Sequence, residues 1–127
     1  MEKRVTEIKR LVILSGSYPQ IRCGVAGHAK LIAERTTALN RFDVHVLTAA
    51  DKAVDPSLAK GYVVHPTIES FSSFAAGKIC QDLLKLDPDI VHIQNPTVKY
   101  TGWRSVVMSQ VARKLKKLKP NIRLVVM

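Results

Sequence analysis

Two stretches of this chain combine residue types able to hold a ligand. The first runs from Gly16 to His28 and carries Gly16, Gly24 and Gly27 before His28. Glycines at a helix start let backbone N–H groups approach an anion or a sugar hydroxyl. The plainer alternative is a flexible turn with close helix–sheet packing at Gly27. The spacing is not the dinucleotide fingerprint, and no Gly-Lys-Ser/Thr follows to make a P-loop. His28 is expected in the first helical turn, where the dipole favours a neutral ring. It could hydrogen-bond a substrate, cap the helix or simply pack. The second stretch is His92-Ile93-Gln94-Asn95-Pro96. Polar residues at the end of an apolar strand are hard to explain by packing alone.

Other candidates carry less. His45 alternates with Val44 and Val46, and His65 precedes Pro66, so both read as structural. Asp87-Pro88-Asp89 has the look of a metal-binding pair but precedes a strand, on the wrong edge of a sheet for ligands. A receiver domain needs acids after its first strand, where Ser15, Gly16 and Ser17 stand. No metal cluster emerges. Cys23 and Cys80 are the only cysteines and lack metal or redox spacing, which suits two free thiols in a reducing compartment.

The elements that position these residues follow from periodicity. Leu11 to Leu14 is a short branched run of the kind buried on both faces of a parallel sheet. Val25, Ala29, Ile32, Thr36 and Leu39 recur at helical spacing, and Val44 to Leu47 is a second strand. Strand, glycine loop, helix and strand make a βαβ unit with parallel strands. Residues 1–9 form a lead-in or an extension of the first strand, and 49–61 a loop. Tyr62 to His65 is a third strand stopped by Pro66. Phe71, Ala75, Ile79, Leu83 and Leu86, with Phe74 beside them, predict a second helix capped near Ser70. Ile90 to Ile93 is a fourth strand, Trp103 to Leu118 a third helix, and Ile122 to Met127 a fifth strand. The fold class is α/β: a Rossmann-like parallel sheet with flanking helices, in one domain over 1–127. Ligands in such sheets sit beyond the strands' carboxyl ends. An apolar strand at the very end of the chain has no such loop after it, so the natural protein is expected to continue.

At 127 residues the chain has room for one domain. Its apolar runs are too short for a transmembrane helix, and its start lacks a signal peptide's apolar stretch, so a cytoplasmic location is expected. The net charge is +10, and no acid occurs from Ile90 onward. Lys99, Arg104, Arg113, Lys114, Lys116, Lys117, Lys119 and Arg123 all fall in that segment. They read either as a solvated helix face with cations near its carboxyl end or as a patch for anionic lipid or another polyanion.

Pro19, Gly24-Val25-Ala26-Gly27-His28, Leu31-Ile32-Ala33 and Val44-His45-Val46-Leu47-Thr48 resemble the opening of GT-B glycosyltransferases of retaining family 4. Asp89-Ile90-Val91-His92-Ile93-Gln94-Asn95-Pro96 looks like a second signature of that family, in order and at suitable distance. The resemblance spans most of the chain. It implies the N-terminal, acceptor-side half of a two-domain enzyme that moves a sugar from a nucleotide-sugar co-substrate to an acceptor hydroxyl, retaining and without a metal or other cofactor.

The resemblance places Gly16, Gly24, Gly27 and His28 beside the cleft and has His92, Gln94 and Asn95 shape the acceptor pocket. Cys23 stands where the family has the first glycine of a pair. The family's catalytic histidine after the fifth strand and its second domain lie beyond Met127, so the isolated chain is expected to be inactive. Members often act on lipid-linked acceptors, which assigns Lys114, Lys116, Lys117 and Lys119 to a peripheral contact with an anionic membrane face. Two other classes stay open. One is a stand-alone nucleotide- or sugar-binding module. The other is a nucleic-acid binder, disfavoured because aromatic residues are not interleaved with the cations.

Overall fold

The computed structural model describes residues 8–16, 24–52, 54–69, 74–94 and 103–126. Strands and helices alternate along them: β1 (Lys9–Ser15), α1 (Gly24–Ala38), β2 (Phe42–Ala49), β3 (Val63–Ile68), α2 (Ala76–Lys85), β4 (Ile90–Gln94), α3 (Trp103–Leu118) and β5 (Arg123–Val126). The strands form one sheet in the order β3-β2-β1-β4-β5. Every pairing is parallel, as the βαβ reading requires. The fold is the expected Rossmann-like α/β arrangement.

Successive side chains of a strand face opposite ways, and here both faces are covered. Leu11 and Ile13 of β1, with Val44 and Val46 of β2, meet Ala29 and Ala33 of α1. Val12 and Leu14 turn the other way and join Leu47, Val91 and Ile93 against Ile79 and Leu83 of α2 and Val111 and Leu115 of α3. This two-sided burial is why the central strands read as unbroken apolar runs. α1 thus has one face of the sheet, and α2 and α3 share the other.

Three elements differ from the sequence reading. α2 begins at Ala76, with Ala75 as its N-cap and no side-chain cap hydrogen bond. Phe74 is therefore outside the helix and 93% exposed, while Phe71 and Ser70 lie outside the described residues. Spacing alone could not separate a helical residue from one that leads into the helix. β3 runs through Pro66 to Ile68 instead of stopping before it. It is an edge strand, where a residue without an N–H is tolerated, and its register with β2 shifts just after Thr48 meets Pro66. β5 starts at Arg123 and lies at the other edge, so Val125 and Val126 are about half exposed despite their apolar type. The loop before β3 also contains a 3-10 turn, Pro56–Leu58, in which the Ser57 N–H donates to the Asp55 side chain.

The amino edge is closed by the acidic pair that looked like a metal motif. The Arg10 N–H donates to the Asp89 carboxylate at 2.8 Å, and the Asp89 N–H returns a bond to the Arg10 carbonyl. Lys119 Nζ donates to Asp87 and to the Pro88 carbonyl. Asp87, Pro88 and Asp89 thus fasten α2, β4, β1 and the end of α3, far from the ligand edge.

Candidate functional site

The order β3-β2-β1-β4-β5 makes β1 the central strand. The chain leaves β1 toward α1 on one face and leaves β4 toward α3 on the other. Between the carboxyl ends of β1 and β4 the connections diverge, and this switch of direction is where open α/β sheets hold a ligand crevice. Ser15 of β1 lies beside Gln94 of β4 there, and Ile13 lies beside His92 one step deeper. The pleat turns Ser15, His92 and Gln94 toward the face that carries α1.

α1 brings His28 to the same place. Gln94 Nε2 lies 3.4 Å from His28 Nδ1, a long contact in which the amide N–H donates to the ring. Gln94 itself is buried, whereas His28 is exposed. His28 is therefore not packed into the core, one of the plainer roles the sequence left open. Because α1 starts at Gly24, His28 opens its second turn and not its first.

His92 is the most telling residue. It is only 7% exposed, yet its Nε2 is buried without a hydrogen-bond partner. Burial, and then the nearby charge of His28, lower its pKa below the usual imidazole value, so the ring is neutral at pH 7. A buried polar atom left unpaired costs about 1–3 kcal/mol, and such atoms call for an explanation. A ligand group reaching the crevice would supply the missing bond. A neutral imidazole can accept from a hydroxyl or donate to an oxygen, depending on its tautomer.

Two residues join the site that sequence reasoning had not singled out. Thr48, next to last in β2, lies on the α1 face, fully buried, and its Oγ1 has no partner. Continuing the β1–β2 register one step past Leu14 and Leu47 sets Thr48 beside Ser15. Thr48, Ser15 and Gln94 thus form a polar row across β2, β1 and β4, with His92 one layer beneath. Each of the three is the polar residue reached after a strand's apolar run, and that position was the signal available in the sequence.

The glycines behave differently from one another. Gly16 is buried at the end of β1. Gly27 is exposed, and a Cβ there would meet nothing within 4 Å. The close helix–sheet packing at Gly27 that was the plainer alternative is therefore absent. Gly24 is the first residue of α1. Asn95, Pro96 and the loop between Gly16 and Gly24, Cys23 included, lie outside the described residues.

His45 and His65 take no part in this crevice. They lie on the opposite face, where their rings stack with centroids 5.2 Å apart and Nδ1 of His45 is 2.9 Å from Nε2 of His65. Asp43 contacts His45 Nε2 and also accepts from Arg10 Nε at 2.8 Å. Burial raises the Asp43 pKa, but the bonds from Arg10 and His45 outweigh it and hold the carboxyl below its usual value. This chain of contacts ties β1, β2 and β3 together, which agrees with the structural role read for both histidines.

The lysines divide. Lys116 Nζ donates to the carbonyls of Pro120 and Ile122, and Lys119 is held by Asp87 and Pro88. Those two fasten the turn after α3. Lys114 and Lys117 instead line a groove between α2 and α3. Among the described residues no group of His, Cys, Asp or Glu is arranged to hold a metal ion, and no helix is long and apolar enough to cross a membrane. Cys80 is a free, buried thiol whose pKa is raised by burial, and it donates weakly to the Val111 carbonyl. No protein-family model, curated protein or solved structure matches the chain.

Proposed function

We propose that this chain is the acceptor-side half of a GT-B glycosyltransferase that transfers a sugar from a nucleotide-sugar to an acceptor hydroxyl. The observation that carries the reading is the meeting of His28, His92 and Gln94 at the crevice between β1 and β4, with the buried Nε2 of His92 unbonded. Both motifs behind the family resemblance contribute to that meeting: His28 comes from the glycine segment and His92 and Gln94 from the fourth strand. Hydroxyl-rich ligands need groups that both donate and accept. A neutral imidazole and a primary amide do both without placing a full charge in a buried site. The first turn of α1, which begins at Gly24, has backbone N–H groups without intrahelical partners, of the kind suited to a phosphate or a hydroxyl.

The same residues would serve a stand-alone sugar- or nucleotide-binding module, and activity separates the two. Stabilising a departing nucleoside diphosphate requires cations at its phosphates, and this crevice has none among its described residues. Residues 1–127 alone are therefore expected to turn over no donor. The natural product read through the frame past Met127 is expected to release nucleoside diphosphate from UDP-glucose, UDP-N-acetylglucosamine or GDP-mannose. Turnover by residues 1–127 alone, or a natural product with no second domain, would overturn the proposal.

A further inference from the structure

We propose that His45 and His65 are an acid-sensitive clasp that fastens the edge strand β3 to β2 and lets it go as the pH falls. The pair lies on the face of the sheet opposite α1 and does not depend on the sugar-transfer reading. β3 has a sheet neighbour on one side only, β2, and the register between them shifts just after Thr48. The strand is six residues long, and one of them, Pro66, has no N–H to give. A side-chain bond across this seam therefore matters more than one between central strands. His45 Nδ1 and His65 Nε2 make it at 2.9 Å, with their ring planes within 15° of each other.

The surroundings of the pair fix where its protons sit. His45 Nε2 lies 3.2 Å from Asp43 Oδ1 and donates to it. From β1, Arg10 Nε donates to the same carboxylate at 2.8 Å, while Arg10 Nη1 donates to the carbonyl of Leu86, the C-cap of α2. His45 Nε2 therefore keeps its proton, and Nδ1 of a neutral His45 is a bare acceptor. The Nε2 proton of His65 then fills the bridge. A first added proton can settle on His65 Nδ1 and leave the bridge intact, with one positive charge shared by the two rings near Asp43. A second has only the bridge itself to enter, where two N–H groups would face each other at 2.9 Å. That bond is then lost, and two cations repel across the seam. From α2, Lys78 and Asp82 line a depression with Thr67 of β3, but they pair with each other at 2.9 Å. Burial, and then the charge of His45, hold the His65 pKa below its usual 6.5. The folded pair thus resists a proton that the unfolded chain accepts. Stability of the seam is fully present above 6.5 and is lost as the pH falls from there to the lowered value.

Two measurements on the ¹⁵N-labelled chain test this. Imidazole nitrogen shifts at about pH 8 should show both rings protonated at Nε2 and bare at Nδ1. Amide hydrogen exchange, corrected for its intrinsic rate, should show β3 opening more often in acid. Its opening constant should rise about tenfold per pH unit inside the window below 6.5, beyond any rise in β1. β1 serves as the reference because it reports changes in global stability, those from His92 included. In His65→Gln the side-chain amide can donate to His45 Nδ1 or accept from it, so the bridge survives either state of His45. The extra acid response of β3 should vanish in that variant. A neutral His45 protonated at Nδ1, a β3 that opens no more than β1, or a His65→Gln variant with the wild-type response would each overturn the proposal.

Discussion

Replacing His92 with leucine is expected to make the domain more stable while weakening its ligand binding. The two effects share one cause. Nε2 of His92 is buried and unbonded, so an apolar side chain of similar size removes an unpaired polar atom without opening a cavity. The gain should be about 1 kcal/mol in urea unfolding at neutral pH. Residues kept for binding are commonly held at such a cost in stability. The same substitution removes the hydrogen bond offered to a ligand, and affinity should fall about tenfold.

Acid should widen the stability difference. His92 has a folded pKa lowered from 6.5 by burial and then by His28. Between its lowered folded value and 6.5, the unfolded chain binds a proton that the folded chain does not. Stability is therefore fully present above 6.5 and is lost as pH falls through that window. His65, also lowered by burial and by His45, keeps some acid sensitivity in the variant, which should be reduced and not abolished. A variant less stable than wild type by more than 1 kcal/mol at neutral pH would mean that the ring serves packing and not a ligand.

The second large effect is expected at Leu14. It lies in the central strand with no exposed surface, between Leu47 of β2 and Ile93 of β4 in register, all in the core shared with α2 and α3. Its neighbours are fixed by strand pairing on both sides, so the sheet cannot close around a smaller side chain. Leu14→Ala should cost about 2–5 kcal/mol. Against a total stability on the order of 5–15 kcal/mol, that removes a large share of the folding free energy. The urea midpoint should drop sharply, whereas Leu118→Ala, on the solvent side of α3, should shift it by about 0.5 kcal/mol or less. A cost at Leu14 no larger than at Leu118 would contradict the two-sided core.

The parallel sheet was legible because β1, β2 and β4 are buried on both faces, and double burial leaves an apolar run that side-chain type alone reveals. The edge strands were less legible for the same physical reason. Pro66 sits inside β3 because an edge needs fewer N–H donors. Val125 and Val126 are apolar yet half exposed because β5 has a neighbour on one side only. His92 and Gln94 could be read as site residues because polar side chains interrupt an apolar strand at its ligand end. Thr48 and Ser15 also follow apolar runs, but only the register between β2, β1 and β4 aligns them into one row with Gln94. The lysines near the end of α3 show the converse. Charge is visible in the sequence, but whether a cation is free or already bonded to a carbonyl depends on how the chain turns after the helix.

The central claim is that the crevice between β1 and β4 takes a sugar or nucleotide-sugar. Amide NMR shifts of the ¹⁵N-labelled chain, followed as UDP-glucose, GDP-mannose and methyl mannoside are added in turn, test it most directly. At least one of these probes should move the signals of Gly27, His28, His92 and Gln94 together, with His92→Leu blunting the response. Shifts confined to the α2–α3 groove, or none with any probe, would contradict the claim.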